Sequence, residues 1–267
     1  MMTTLEVLIP THTPEGISRV EEMNLPEIDG VGYVVSWQNY GDGVIPDALA
    51  SRSDVKIVKY RRKGVSANRN NALDNATADI LLIGDDDLIY TAGRLEAVRR
   101  VMDENPDVDY ASFRYEGADE KVYPSGECDL GGRIPKYFSQ TTFEIALRRN
   151  SPAGQLRFNE QFGPGAPVFS AAEDEIMFLT ARARGIKMRF FPVTIACHPG
   201  LTTGCRGVDN DGILLSAGAV IAKTFPLTAA LRIPLKAWRL FRSGKATFFK
   251  SLLLMSKGAI KGMRIRL

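Results

Sequence analysis

Short apolar runs that stop at turn residues recur through the first hundred positions of the chain. Four of these runs have the length of a buried strand: Leu5–Ile9, Gly32–Ser36, Val55–Val58 and Asp79–Ile83. Between the third and fourth runs, Ser66 is a predicted N-cap for a helix of about ten residues. A second amphipathic helix is predicted from Thr91 to the Asn105-Pro106 stop. This alternation predicts an α/β fold, with a mostly parallel sheet and helices on its faces.

Polar residues follow three of the predicted strands. In open sheets of this type, ligands bind beyond the carboxyl ends of the strands. We therefore expect Pro10-Thr11-His12, Trp37-Gln38-Asn39 and Gly84-Asp85-Asp86-Asp87 to converge on one binding crevice.

The following hundred residues are less regular. Three further strands are predicted there: Tyr110–Tyr115, Phe143–Leu147 and Lys187–Ala196. A Gly/Pro loop over Phe158–Gly165 leads to Glu173, where a helix is predicted to begin, and Gly185 is placed to end it. The last of these strands brings His198 to its carboxyl end.

Composition indicates an ordinary folded protein. The 267 residues are 45% hydrophobic and 24% charged, which excludes the disordered, collagen-like and disulfide-scaffold classes. Cys128, Cys197 and Cys205 are odd in number and lack metal-site spacing, so we expect thiols in a reducing compartment. The early strand-like run argues against a secretory signal, and no uncharged apolar stretch has the length of a transmembrane helix.

Charge divides the chain into two regions that the net charge of +3 conceals. Residues 212–267 hold 11 of the 34 Lys and Arg residues and none of the 31 acidic ones, which leaves the rest of the chain at −8. An acidic body and a cationic tail predict two regions with different functions.

Three adjacent aspartates are the strongest local feature. Asp85, Asp86 and Asp87 directly follow the apolar strand that ends at Ile83. Carboxylates this close repel one another unless a cation lies among them, and a hard divalent ion bridged to phosphate oxygens is the usual remedy. We therefore predict a metal–phosphate site, with a solvated acidic turn as the alternative.

A glycine turn at the start of the first predicted helix is a weaker candidate. Gly64 would leave backbone N–H groups free at this helix start, and Arg69 and Asn70 follow it closely. The guanidinium group of Arg69 can donate two parallel hydrogen bonds to a phosphate, although an ion pair at the surface is the commoner role of such an arginine.

Two further candidates lie in the second half. Glu173 and Asp174 lie at a predicted helix start, where carboxylates commonly compensate the helix dipole. Alternatively, one of them is a general base that takes a proton from a hydroxyl. His198 is one of only two histidines, and its strand-end position permits metal ligation, although a structural role is commoner for a lone histidine.

In this order and spacing, six segments resemble the motifs of the family-2 glycosyltransferases, which have the GT-A fold. They are Val7-Leu8-Ile9-Pro10-Thr11, Gly64-Val65-Ser66-x-x-Arg69-Asn70, Ile83-Gly84-Asp85-Asp86-Asp87, Phe158-Asn159-Glu160-x-Phe162-Gly163, Ala172-Glu173-Asp174 and His198. The resemblance covers about residues 4–200. It implies a Rossmann-like GT-A domain over residues 1–211, with a nucleotide-binding half (1–107) and an acceptor half (108–211). A basic amphipathic helical tail over residues 212–267 would follow.

The resemblance implies nucleotide-sugar transfer and assigns roles to the matching residues. Asp87 would bind Mn²⁺ or Mg²⁺ as the last residue of the DxD motif, and His198 would complete the metal shell. Asp85 and Asp86 would face the ribose and phosphates, and Asp174 matches the catalytic base. The other predicted donor-binding residues are Pro10, Thr11, Gln38, Gly64, Arg69, Asn70 and Glu173.

One segment departs from the family pattern. Members often carry Asp-Asp-Gly-Ser after the second strand, and here the residues are Ser36-Trp37-Gln38-Asn39, which leaves the nucleotide base open. Members from bacterial surface-polysaccharide gene clusters are more similar, since they share a Gln at this strand end and a segment like Phe143–Arg149.

The cationic tail combines charge with apolar residues at helical spacing. Lys236, Arg239 and Arg242 recur beside Leu235 and Trp238. Such helices suit an anionic lipid surface, and ordinary surface helices packed on the body are the alternative. We expect no nucleic-acid partner, because the tail has no reader motif and the acidic body repels phosphate backbones.

Together these features predict an inverting, metal-dependent glycosyltransferase. It would move a sugar from a nucleotide-sugar donor to a hydroxyl of a lipid-linked glycan in surface-polysaccharide synthesis. We expect a cytoplasmic protein held at the inner face of the cell membrane. The alternatives are a nucleotidyltransferase, which would normally carry a longer Gly-rich, lysine-containing loop after the first strand, and a non-catalytic module that binds sugar nucleotides.

Overall fold

The structure is a computed structural model that describes residues 3–117, 121–135, 138–200 and 210–267. The chain divides into two compact units. Residues 1–63, 67–157 and 181–202 belong to the first, and residues 64–66, 158–180 and 203–267 to the second. Cys128 and Cys197 are free thiols, and Cys205 lies outside the described residues. The predicted domain boundaries at 107/108 and 211/212 stay predictions.

The first unit contains an eight-stranded sheet, as counted over the described residues. Its strands are β1 (Leu5–His12), β2 (Val31–Gln38), β3 (Val55–Tyr60), β4 (Ile80–Ile83), β5 (Tyr110–Gly117), β6 (Cys128–Asp129), β7 (Ile145–Arg148) and β8 (Met188–His198). Their order is β3-β2-β1-β4-β7-β5-β8-β6. The first four strands in this order are parallel, as is β5 with β8, whereas β7 and β6 pair antiparallel with their neighbours. The predicted α/β class with a mostly parallel sheet is confirmed.

Eight α-helices are found among the described residues. They are α1 (Thr13–Glu22), α2 (Asp47–Ala50), α3 (Val65–Asn75), α4 (Ala92–Glu104), α5 (Glu173–Ala183), α6 (Asp211–Thr224), α7 (Ala229–Arg242) and α8 (Phe248–Met263). Two short 3₁₀ helices lie at Thr142–Glu144 and Pro152–Gln155. Among the described helices, none combines the length and the apolarity that crossing a bilayer requires.

Two local predictions are wrong. Ser66 does not cap α3, because the helix already begins at Val65; the buried Ser66 hydroxyl instead donates to the Phe162 carbonyl at 2.7 Å. The strand predicted over Phe143–Leu147 begins only at Ile145. The three residues before it form a 3₁₀ turn, because the buried Glu144 carboxylate accepts the Thr141 N–H at 2.6 Å and a hydrogen bond from Tyr123.

The core of the first unit explains why β1 is apolar along both faces. Alternate residues Leu5, Val7 and Ile9 pack in one cluster with Ile17 of α1 and Leu95 of α4. Side chains on successive residues of a strand point to opposite faces. Because Leu8 and Pro10 are buried as well, both faces of this strand are covered, as is usual for a parallel sheet.

Two glycines permit close helix packing in the cationic tail. A Cβ at Gly218 of α6 would lie 1.9 Å from the Met255 carbonyl oxygen of α8, and a Cβ at Gly258 of α8 would lie 2.0 Å from the Leu215 oxygen. These helices therefore touch backbone to backbone. The tail is helical, as predicted, and its own apolar cluster includes Met255.

Candidate active site

The loop after β4 carries the three adjacent aspartates. It begins at Gly84, whose N–H donates to the Leu8 carbonyl at 2.8 Å, and a Cβ there would lie 3.0 Å from the Tyr90 hydroxyl. Only glycine fits this turn without displacement of a neighbour. The loop therefore leaves the sheet at its carboxyl edge, as the strand pattern predicts.

Each aspartate meets a different basic side chain. Asp85 Oδ1 lies 2.8 Å from Arg69 Nη2, Asp86 Oδ2 lies 2.7 Å from Arg19 Nη2, and Asp87 Oδ2 lies 3.3 Å from His198 Nε2. A solvated acidic turn would not show these contacts. The guanidinium groups of Arg69 and Arg19 therefore relieve part of the repulsion that was expected to require a metal ion.

Arg69 reaches Asp85 from the interior of the first unit. Arg69 is only 5% exposed. The alternative role predicted for Arg69 was an ion pair at the surface. The ion pair exists, with Asp85, but Arg69 is buried, so the predicted surface position is wrong. The next residue, Asn70, is also buried. Burial raises the pKa of the Asp85 carboxyl, and the Arg69 guanidinium opposes that rise. The ionised form of Asp85 therefore depends on a buried cation.

Asp87 and His198 are brought together by the backbone. The segment after Asp87 pairs with the end of β8, since Ile89 and Cys197 exchange N–H···O bonds of 2.8 and 3.0 Å. His198 is 5% exposed, and the Phe143 ring stacks on its imidazole at a centroid distance of 5.6 Å. The histidine ring is thus fixed on one face of the aspartate loop.

The chemistry of this pair fits a divalent cation. His198 Nδ1 lies 2.5 Å from the Gly200 carbonyl oxygen, which can only accept, so Nδ1 carries a proton and Nε2 is the nitrogen that faces Asp87. Its 3.3 Å separation from Asp87 Oδ2 is close to the roughly 3 Å between neighbouring ligands of an octahedral ion with 2.0–2.1 Å bonds. No group of three His, Cys, Asp or Glu residues within the described ranges could hold a metal ion. Further ligands would therefore have to come from the substrate and water.

The strand ends β1 and β2 line up beside this loop. Their parallel register sets Thr11 against Trp37 and His12 against Gln38. The Thr11 hydroxyl donates to Asp86, and Gln38 Nε2 donates to the Arg62 carbonyl. Thr11 is thus joined directly to the aspartate loop. Pro10, one residue earlier, is buried in the sheet.

Arg19 is a site residue that the sequence analysis missed. It lies on α1, a helix that was not predicted, and its partly exposed side chain pairs with Asp86. The available signal was Pro14 near the helix start, followed by Ile17 and Val20 at helical spacing. These residues would have predicted the helix but not the partner of Arg19.

Gly64, Glu173 and Asp174 belong to the second unit. Gly64 has φ +103°, which favours glycine, and the next N–H donates to the Pro164 carbonyl at 3.0 Å. Glu173 and Asp174 form the first turn of α5, where the helix dipole stabilises carboxylates. That Asp174 faces the aspartate loop stays a prediction.

Comparisons with known proteins extend these observations. Residues 43–162 match the family model described as "Glycosyl transferase family 2". A comparison with curated protein sequences gives no match.

Crystal structures of S. aureus TarS are similar to this chain. TarS itself is 15% identical over 91% of this chain with a TM-score of 0.58, and the chain spans 44% of that protein. TarS 1–349 is 12% identical over 99% of this chain and 93% of its own length, with a TM-score of 0.60. The complex of TarS 1–349 with UDP-GlcNAc is 15% identical over 97% and 79% of the two chains, with a TM-score of 0.59.

At these identities the likeness to TarS establishes a shared fold, and the family match covers 120 of the 267 residues. The chain thus contains a segment that matches the family-2 glycosyltransferases, within a fold that it shares with TarS.

Proposed function

We propose that this chain transfers a sugar from a nucleotide-sugar donor to a hydroxyl of a lipid-linked glycan, as a step in surface-polysaccharide synthesis. The observation that carries the proposal is the Asp85–Asp87 loop at the carboxyl edge of parallel strands, with a separate basic partner for each carboxylate. Solved structures of the similar TarS 1–349 contain UDP-GlcNAc and UDP, which makes uridine diphosphate sugars the first donors to test.

The donor's ribose and diphosphate would lie against the aspartate loop. Ionised carboxylates only accept hydrogen bonds, so Asp85 and Asp86 suit ribose hydroxyls, and the guanidinium groups of Arg69 and Arg19 would donate to phosphate oxygens. The other residues that we assign to the donor are Pro10, Thr11, Gln38, Gly64, Asn70 and Glu173.

Asp87 and His198 would hold Mn²⁺ or Mg²⁺. The bound ion would supply positive charge that stabilises the departing diphosphate. The Gly200 carbonyl accepts a hydrogen bond from Nδ1 of His198, which leaves Nε2 for this ligation, and the stacked Phe143 ring keeps the imidazole in place.

Asp174 would act as the general base. It takes the proton from the acceptor hydroxyl, whose oxygen attacks the anomeric carbon while the bond from that carbon to the diphosphate oxygen breaks. A single displacement of this kind inverts the anomeric configuration. The position of Asp174 in the first turn of α5 supports this role, because the helix dipole favours its ionised form. A base of this kind contributes roughly 10²–10⁴-fold to the rate.

The cationic tail would hold the enzyme at the inner face of the cell membrane, where a lipid-linked acceptor is found. On α7, Leu231 and Trp238 are 76% and 49% exposed, whereas Ile233, Ala237 and Leu240 of the same helix are buried. The exposed apolar side chains alternate with Lys and Arg, a pattern that suits an anionic bilayer surface.

A panel of nucleotide sugars, scored by thermal shift with Mn²⁺ and with EDTA, tests the donor and the metal together. A true donor increases the free energy of unfolding by RT ln(1 + [L]/Kd). Tm therefore rises once the donor concentration exceeds Kd. We expect at least one uridine diphosphate sugar to do so with Mn²⁺, and to do so less in Asp87→Ala. No response to any donor would contradict the proposal.

A further inference from the structure

A polar cavity lies within the second unit, and none of the residues that line it is assigned to the donor. It has a volume of about 480 Å³, and Lys261, Arg264 and Arg266 line it. No acidic side chain lines it, and none of the three cations forms an ion pair with a described residue. A cavity of this size is in the range of small-molecule sites. Because three cations and no acidic side chain line the cavity, its electrostatic field favours an anionic ligand.

The apolar wall of this cavity is held in place by its own packing. Phe169 is buried and stacks on Phe162 with ring centroids 4.4 Å apart and planes 7° apart. Ile265 is buried in the same cluster, and its carbonyl accepts a hydrogen bond from Lys223. The wall is therefore formed before any ligand arrives, which reduces the entropy lost on binding.

The polar wall offers donors. Asn159 and Gln161 line the cavity, and the Asn159 side-chain oxygen already accepts the Gln161 N–H at 3.0 Å. The Asn159 amide therefore has its NH₂ group left to offer. Together with two guanidinium forks and an ammonium group, it makes a donor set that matches the oxygens of a phosphate.

We propose that this cavity binds the phosphate group of an organic phosphate whose remaining part is apolar. The cations and amides would hold the phosphate oxygens, and the partly exposed Val168 on the same wall would contact the apolar part. A phospholipid headgroup and a lipid-linked acceptor both present this chemistry. The inference does not depend on the donor site, because no residue assigned to the donor or to catalysis lines the cavity.

Calorimetry on the full chain, in EDTA to suppress metal-dependent donor-site binding, tests the proposal with two probes. These are inorganic phosphate and dihexanoyl phosphatidate below its micelle concentration. We expect the phosphatidate to bind more tightly than phosphate. The double variant Arg264→Gln/Arg266→Gln should weaken its binding by roughly tenfold or more, since each lost charge-assisted hydrogen bond is worth about that much.

Arg184→Gln/Lys187→Gln is the matched control, because it removes the same charge from exposed positions that follow α5, outside the cavity. It should leave phosphatidate affinity unchanged. Lys261→Gln alone should also weaken binding, which keeps the test valid if the cavity double variant folds poorly. Equal weakening in cavity and control variants, no binding to the wild-type protein, or equal affinity for both probes would overturn the proposal.

Discussion

Arg69 Nη2 lies 2.8 Å from Asp85 Oδ1, and this contact joins the crossover helix α3 to the aspartate loop after β4. The Arg69 side chain is only 6% exposed, whereas that of Asp85 is 26% exposed. A buried cation therefore faces a carboxylate at the edge of the proposed donor site. Its removal would leave Asp85 in a partly desolvated place without its nearest positive charge.

Loss of Arg69 should therefore affect both folding and donor binding. We expect Arg69→Gln to lower the free energy of unfolding by about 3 kcal/mol, the cost of breaking one side of a buried ion pair. Donor affinity should fall with it, because burial then raises the pKa of Asp85 without an opposing charge. Urea unfolding and donor titration measure the two effects. Lys63→Gln, an exposed cation nearby in the chain, is the control and should change neither.

The metal prediction can be tested with the two histidines of this chain. His198→Ala should weaken Mn²⁺ binding by roughly tenfold or more, as loss of a ligand or of its support typically does. His12→Ala should leave it unchanged, because His12 is exposed at the start of α1 and was not assigned to the metal. Electron paramagnetic resonance of free Mn²⁺ measures both. Equal affinity in wild type and His198→Ala would remove this residue from the metal site.

Sequence reasoning placed β1 to β4 because each reads as a short apolar run, including β3, which is an edge strand without a buried residue. It ended β1 and β2 too early, however. Their last residues, His12 and Gln38, are polar and yet continue the parallel register with each other. Backbone hydrogen bonds supplied by a neighbouring strand do not depend on side-chain polarity, so the local pattern gave no sign of them. His12 directly follows Thr11, whose hydroxyl contacts Asp86 in the aspartate loop.

The candidate site could be predicted only in part. The rule that ligands bind at strand ends placed Thr11 and Asp86 together, and the structure joins them by a hydrogen bond. The partners of the aspartates could not be predicted, because Arg19 and His198 are 67 and 111 positions away from the aspartates that they meet. Such distant pairs follow from the tertiary fold. The burial of Arg69 could not be predicted either, because it also follows from the tertiary fold.

An ion pair near β3 should make stability depend on pH. Arg52 holds both oxygens of Asp54, at 2.9 and 2.6 Å, and these hydrogen bonds lower the pKa of Asp54 below 3.8. The pair therefore stabilises the folded state above pH 3.8, and this contribution is lost as the pH falls through the lowered pKa.

We expect Asp54→Asn to lower the free energy of unfolding by about 1 kcal/mol at pH 7, a value reduced because the pair is partly exposed. In acid, the wild type and the variant should have the same free energy of unfolding. Urea unfolding at pH 7, 5 and 3 measures it. Asp42→Asn, at an exposed loop position, is the control and should show no such pH dependence. A difference that grows as the pH falls would contradict this account.

The exposed apolar side chains of α7 should contribute to membrane binding. Replacing Leu231 and Trp238 by Asp removes two side chains whose burial is worth about 1.5–3 kcal/mol each. We expect sedimentation with phosphatidylglycerol vesicles to fall by more than tenfold. Val44→Asp, at a position 81% exposed outside the tail, should leave it unchanged. If the two variants sediment equally, α7 is not the membrane contact.

The central claim is that Asp174 performs the chemistry on a donor held by the aspartate loop. The most direct measurement compares turnover and donor affinity in Asp174→Asn, with Glu175→Gln as the control at the exposed next position. Release of nucleoside diphosphate should fall by roughly 10²–10⁴-fold in Asp174→Asn while the donor Kd stays near the wild-type value, and Glu175→Gln should match the wild type in both. Wild-type turnover in Asp174→Asn would contradict the account.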